Sequence, residues 1–174
     1  QWLSAVITPV PKITNPVSLS DFRPISVTPI LSRVIEKFIV NHWLRSAINP
    51  PDIADQFGFR PTGSTTCALV YFMHHVTRML ETNSFVRCLL IDFSKAFDIV
   101  DHVTLLEKLH KLHLPEYCFN WLISFLTGRT RTTKSRHSES SPLSINRSII
   151  QGSCIGPTMY IVLESDLKPR SHVT

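Results

Sequence analysis

The apolar run Phe85 to Ile91, which stops abruptly on Asp92, constrains the fold more than any other stretch. It is too short for a core helix and reads as a buried strand ending in a carboxylate. Helix-period stripes flank it on both sides. Upstream, Leu31, Ile35, Phe38 and His42, with Val34, Ile39 and Leu44, repeat at 3.6-residue spacing to about Ala47, where Pro50-Pro51 ends the pattern. Thr28-Pro29 opens that helix, a hydroxyl cap followed by a first-turn proline. After the glycines at Gly58 and Gly63, Ser64 or Thr65 can cap a second helix to about Glu81. Downstream, Asp101 caps a third helix bearing Leu105, Leu109 and Leu112. Pro115 starts a fourth with Phe119, Leu122, Ile123 and Leu126, and Gly128 stops it.

The remaining extended pieces are short and scattered. Trp2 to Val10 is apolar and β-branched, interrupted by Pro11 and Pro16; Asp21 to Val27 is a second such piece. Arg129 to Ser141 is a polar, basic hairpin or loop, Leu143 to Ile150 alternates as a strand does, and Gly156-Pro157 opens a last helix through Leu163. Long helices mixed with isolated strands, without regular βαβ alternation, predict an α+β fold.

The 174 residues suffice for one domain with a real core, and 43% are hydrophobic, which excludes a wholly disordered tail. Lysine and arginine number 18 against 13 acids, a balance that favours polyanionic partners. Cys67, Cys88, Cys118 and Cys154 form no zinc-ligand spacing and read as buried free thiols in a reducing compartment. No apolar run reaches the ~20 residues of a membrane helix, and no signal-peptide pattern opens the chain. The expectation is an intracellular protein, nuclear or cytoplasmic, with no membrane partner. The chain begins with Gln1 and closes on a polar stretch, as a piece of a longer protein does.

LLIDFSKAFDIVDH, Leu89 to His102, is the densest chemical signal. A carboxylate at the end of a buried strand is held rigidly while its oxygens reach solvent, which suits a magnesium ligand. Asp92, Asp98 and Asp101 can equally be turn or cap residues, and Phe97 an ordinary core aromatic. Arg129, Arg131, Lys134 and Arg136 form the strongest basic cluster, either a solvated loop or a nucleic-acid contact. The histidines, His74-His75 among them, lack ligand partners at useful spacing.

Leu90 to His102 resembles the first palm motif of reverse transcriptases, in the form carried by non-LTR retrotransposons. Three further blocks follow the family's order. SDFRPIS (Ser20 to Ser26) is similar to its fingers motif, QFGFRPTGSTT (Gln56 to Thr66) to a block on the template path, and IIQGSCIGP (Ile149 to Pro157) to the second palm motif. Ile155 replaces a more usual leucine, and Met159 to Asp166, MYIVLESD, looks worn beside the more apolar helix of the family.

The resemblance implies right-hand polymerase fingers and an incomplete palm. Residues 1–84 and 114–149 would be fingers-like, and 85–113 and 150–174 palm. It implies that Asp92 is catalytic and binds Mg2+ together with the Phe93 carbonyl, and that Arg23 and Lys12 grip the incoming triphosphate. A guanidinium offers forked donors for such phosphates. Phe97 would be the steric gate against a 2′-hydroxyl, with Gln151 and Gly152 beside the nucleotide and templating base. The implied partners are an RNA template, a DNA primer and deoxynucleoside triphosphates; the oligomeric state is not legible.

The family's third palm motif, Tyr-Ala-Asp-Asp, is nowhere in the sequence, so this piece is expected to be inactive alone. A non-enzymatic nucleic-acid-binding remnant is the alternative. A metal-dependent hydrolase built on Asp92, Asp98, Asp101 and His102 would leave the other three blocks unexplained.

Overall fold

The computed structural model describes residues 3–48, 53–135 and 138–167. Trp2, Pro50, Pro51 and Arg136, named above, lie outside the described residues. The chain mixes one sheet with helices.

Strand β1 (Ser4–Pro11) lies between β2 (Phe22–Val27), antiparallel to it, and β3 (Arg129–Ser135), parallel to it. Val10 faces Arg23 across the first ladder, and Ala5 faces Arg131 across the second. The short strands β4 (Ser138–Glu139) and β5 (Leu143–Ile145) both pair with β3, so the Arg129 region is a hairpin rather than a loop. β2 is an edge strand, which tolerates Pro24 without a missing ladder bond.

Helix α1 (Ile30–Ile39) runs through a π-helical turn (Val40–Leu44) into α2 (Arg45–Ala47). Then come α3 (Thr65–Leu80), α4 (His102–His110), α5 (Glu116–Leu126) and α6 (Gly156–Glu164). Two predicted caps form as expected: the Ser64 hydroxyl accepts from the Cys67 amide at 3.1 Å, and Asp101 accepts from the Thr104 amide at 3.0 Å. Leu44, Leu105, Leu109, Leu122 and Met159 are fully buried where these helices meet. Truncating any of these leucines to alanine should cost about 2–5 kcal/mol. The MYIVLESD stretch keeps its helix, with Met159, Ile161 and Val162 buried.

Five expectations need correction. Phe85 to Ile91 forms no strand: Phe85, Leu89, Leu90 and Ile91 are exposed, and no described strand pairs with them. An extended segment without a neighbour gains no ladder hydrogen bonds and has nothing to bury its side chains against. The α1 stripe meets the core along one edge only: Ile39 and Leu44 are buried and Ile35 packs against the core. Leu31, Val34 and Phe38 are exposed, whereas Ser32, Glu36 and Ile39 are buried, because the Glu36 carboxylate docks on the start of α6. Thr28 is not the cap: extended Pro29 takes that place, and the buried Thr28 hydroxyl makes no hydrogen bond. The last strand stops at Ile145, short of Ser148, whose φ of 92° breaks extension before Ile149 and Ile150 turn inward. Of the cysteines only Cys118 is buried; Cys67 and Cys88 are exposed, since they sit on a helix and a segment that the core leaves uncovered.

Candidate nucleotide site

Lys12 follows the last residue of β1. Its ammonium donates to the Ser20 carbonyl at 2.8 Å, and its amide donates to the Asp21 carbonyl at 2.7 Å. Asp21 braces the returning loop by accepting from the Val17 and Ser18 amides at 2.9 and 2.8 Å. Those amide hydrogen bonds, Ser18's first, hold its carboxyl below the usual range. The chain then enters β2, so the 20–23 turn places Arg23 and Lys12 at one end of the sheet.

A second segment meets them there. The Ile149 amide donates to the Phe97 carbonyl and the Ser148 amide to the Val100 carbonyl, each at 2.8 Å, zipping residues 97–100 against 148–149. Gln151 then reaches back, its Nε2 donating to Asp98 Oδ1 at 3.1 Å, while its carbonyl accepts from the Ser26 amide at 2.9 Å. Gly152 has a φ of +103°, and a Cβ there would lie 2.7 Å from the Ser26 carbonyl oxygen. Only glycine fits so close to β2 in that conformation.

These contacts enclose a cleft of about 650 Å³ whose lining includes Lys12, Arg23, Lys95, Arg131, Asp98 and Gln151. Four cations against one carboxylate give the cleft a net positive lining. Lys95 holds a φ of +55°, a left-handed conformation uncommon for lysine, in a turn closed by the Asp98 and Ile99 amides donating to its carbonyl.

Asp92, Phe93 and Phe97 do not line this cleft. The Phe97 ring stacks on Tyr160 of α6 at 4.8 Å and 20°, and Phe59 meets both rings edge-on. Phe93 and Tyr160 line a separate, mostly apolar hollow of about 300 Å³. The Tyr160 phenol is pushed up to about 12 by burial first, then by its hydrogen bond to Glu164 and the charges of Glu164 and Asp92. Asp92 is therefore near Tyr160, but it is exposed and does not line the cationic cleft.

Among the described residues no group of three or more His, Cys, Asp or Glu side chains could hold a metal ion. Asp92 and the Phe93 carbonyl are hard oxygen donors of the kind magnesium takes. A two-ion site needs carboxylates bridging ions roughly 3.5–4 Å apart, and one exposed carboxylate does not meet that demand. The residues present do not fit a complete metal centre.

Residues 10–168 match the family described as reverse transcriptase (RNA-dependent DNA polymerase). The chain belongs to that family. A probable RNA-directed DNA polymerase from transposon BS of Drosophila melanogaster is 32% identical over 96% of the chain and 18% of its own length. The RNA-directed DNA polymerases from the mobile element jockey of Drosophila funebris and Drosophila melanogaster are each 31% identical, over 92% and 99% of the chain. The chain spans about a fifth of these relatives, 18% and 19% of the jockey polymerases. The mobile-element resemblance of DFRPIS and SKAFDIVDH is thus matched by relatives of the same kind.

Within this reverse transcriptase segment, sequence reasoning missed Lys95, Phe59, Tyr160 and Glu36 as neighbours of the site, and treated Arg131 only as part of a basic loop. Lys95 and Phe59 lie inside quoted motifs but carry no signal of their own until the turns are folded. Glu36 had a faint one: a serine and a glutamate four residues apart, one helical turn, on the same side of α1.

Proposed function

We propose that this segment is the nucleotide-binding part of a non-LTR retrotransposon reverse transcriptase, which adds deoxynucleotides to a DNA primer on an RNA template. The cationic cleft carries the reading. Lys12 and Arg23 from the sheet, Lys95 from the turn after Asp92 and Arg131 from β3 surround a space that suits a triphosphate. Gln151, hydrogen-bonded to Asp98, faces the same cleft and would meet the base-pairing region. Phe97 lies outside the cleft, stacked on Tyr160, and would stand under the sugar of a nucleotide extending past Asp98 and Gln151. Residues 1–84 and 114–149 would form the fingers, supported by the ladder between β1 and β3, and 85–113 with 150–174 part of the palm. Mg2+ is the ion we assign to Asp92 and Phe93 in the complete enzyme. It would supply the charge neutralisation that phosphoryl transfer requires, with the partner carboxylates coming from outside these residues. The enzyme would work inside the cell, in nucleus or cytoplasm. No helix among the described residues is long and apolar enough to cross a membrane.

One observation favours a second reading for the segment by itself. Asp92 is exposed, off any strand and, among the described residues, outside any group of three acidic, histidine or cysteine side chains, so residues 1–174 alone would be a nucleic-acid-binding remnant rather than a catalyst. Primer-extension and filter-binding assays test both. The segment should extend no primer with magnesium or manganese yet bind single strands, log affinity falling with log salt at roughly −0.7 per phosphate contact. Template-directed extension by the segment would show that the carboxylates have been misplaced; no binding at low salt would remove the remnant reading.

A further inference from the structure

Glu36 is fully buried, at 0% exposure, beside Ile39, in a helix that leaves Leu31, Val34 and Phe38 facing solvent. Burying a carboxylate is costly unless it is paired and hydrogen-bonded. Here Oε1 accepts from the Ser32 hydroxyl at 3.0 Å, and Oε2 accepts from the Cys154 amide at 2.7 Å and the Ile155 amide at 3.4 Å. Those amides sit at the start of α6, where a helix presents unpaired donors and the positive end of its dipole. The buried Arg129 guanidinium feels the Glu36 charge, which opposes the lowering that burial imposes on it.

Packing alone does not require this arrangement. A well-packed apolar side chain in place of a buried ion is often neutral or stabilising. What the carboxylate adds is a fixed position for residues 154 and 155. Two residues upstream of Ser153 is Gln151, which lines the cationic cleft; downstream on the same helix is Tyr160, on which Phe97 stacks. The Ser26–Gln151 hydrogen bond clamps the turn from β2, and Glu36 clamps it from α1.

We propose that Glu36 is a positioning residue for nucleotide insertion, holding the Gln151–Gly152 turn in register with the triphosphate cleft by docking on the Cys154 and Ile155 amides. The proposal rests on the polymerase reading above. Glutamine at 36 can keep both contacts, its carbonyl accepting from Cys154 and its amide donating to a reoriented Ser32 hydroxyl. Aspartate keeps the charge but draws the oxygens back by one methylene, out of reach of the amides.

The test is steady-state primer extension by the complete polymerase carrying Glu36→Gln, Glu36→Asp and Glu36→Ala, with amide hydrogen exchange measured at Cys154 and Ile155. The expected result is a deoxynucleotide KM raised about tenfold or more in the Asp and Ala variants, the scale of a hydrogen bond to a charged group. The KM for template-primer should stay unchanged, Gln should lie within about threefold of wild type, and exchange should speed up only in Asp and Ala. Combined with Gln151→Ala, Glu36→Asp should add little further, because both act through one turn. Should Glu36→Ala fail to fold, Glu36→Asp decides. A lowered melting temperature with unchanged deoxynucleotide KM, or strict additivity with Gln151→Ala, overturns the proposal and leaves Glu36 a structural residue. A wild-type enzyme that extends no primer, while Cys154 stays protected, overturns the polymerase reading and the role in insertion with it.

Discussion

Gly152→Ala puts the site's construction to a quantitative test. The substitution asks an L-residue to hold a φ of +103° and sets its Cβ 2.7 Å from the Ser26 carbonyl oxygen, a backbone atom that cannot rotate away. Backbone strain of that kind costs about 1–3 kcal/mol. Relieving the clash means moving the turn off β2 and losing the 2.9 Å hydrogen bond from Ser26 to the Gln151 carbonyl, about 1 kcal/mol more. The total, about 2–4 kcal/mol, should lower the urea midpoint by about 1–2 M at a slope of about 2 kcal/mol per molar. Gly58→Ala is the control, because a Cβ there meets only the Gln56 side chain at an ordinary 3.6 Å. Urea titrations followed by circular dichroism compare the two. Equal, small shifts for both variants would refute the claim that the Gln151–Gly152 turn is held against β2.

Phe97→Val in the complete enzyme should admit ribonucleotides, since the ring it removes is fixed by stacking on Tyr160. Unchanged discrimination between deoxy- and ribonucleotides in primer extension would make Phe97 a packing residue. Tyr160 gives a pH prediction. Its phenol is pushed up to about 12, so the unfolded chain releases this proton first, from its ordinary value near 10. Stability present below pH ~10 should therefore be lost as pH rises toward 12, by on the order of 1–2 kcal/mol after solvent screening. Tyr160→Phe should abolish that part of the decline in urea titrations at pH 9 and 11.5. Asp92→Asn should bring the ionisation of Tyr160 down, measured by absorbance at alkaline pH; no change would separate the two residues.

The elements legible in the sequence were those set by local chemistry. Ser64 and Asp101 cap their helices because a side-chain oxygen beside a free amide needs no tertiary partner. Pro115 and Gly156-Pro157 start α5 and α6 for similar reasons. What failed depended on distant neighbours. Phe85 to Ile91 has strand composition, but a strand exists only beside another, and no described strand adjoins it. The α1 stripe had the right period, but only its Ile35, Ile39 and Leu44 edge meets the core; the buried face is shared with Ser32 and Glu36, and Glu36 lies 118 residues away from its partner Cys154. At the site, Lys12, Arg23 and Gln151 were named from motifs, and the structure gathers them around one cleft. Lys95 and Arg131 join them through a left-handed turn and a parallel ladder, neither of which has a local signature.

The cleft's affinity for phosphate charge is the most direct measurement of the central claim. Isothermal titration of the protein with a deoxynucleoside triphosphate and with the corresponding monophosphate, at low salt, needs no catalysis. The account predicts that the triphosphate binds at least about tenfold more tightly, on the scale of hydrogen bonds to charged groups. It also predicts that Arg23→Ala or Lys12→Ala removes most of that difference. Equal affinities for the two nucleotides, or a preference untouched by both substitutions, would contradict it.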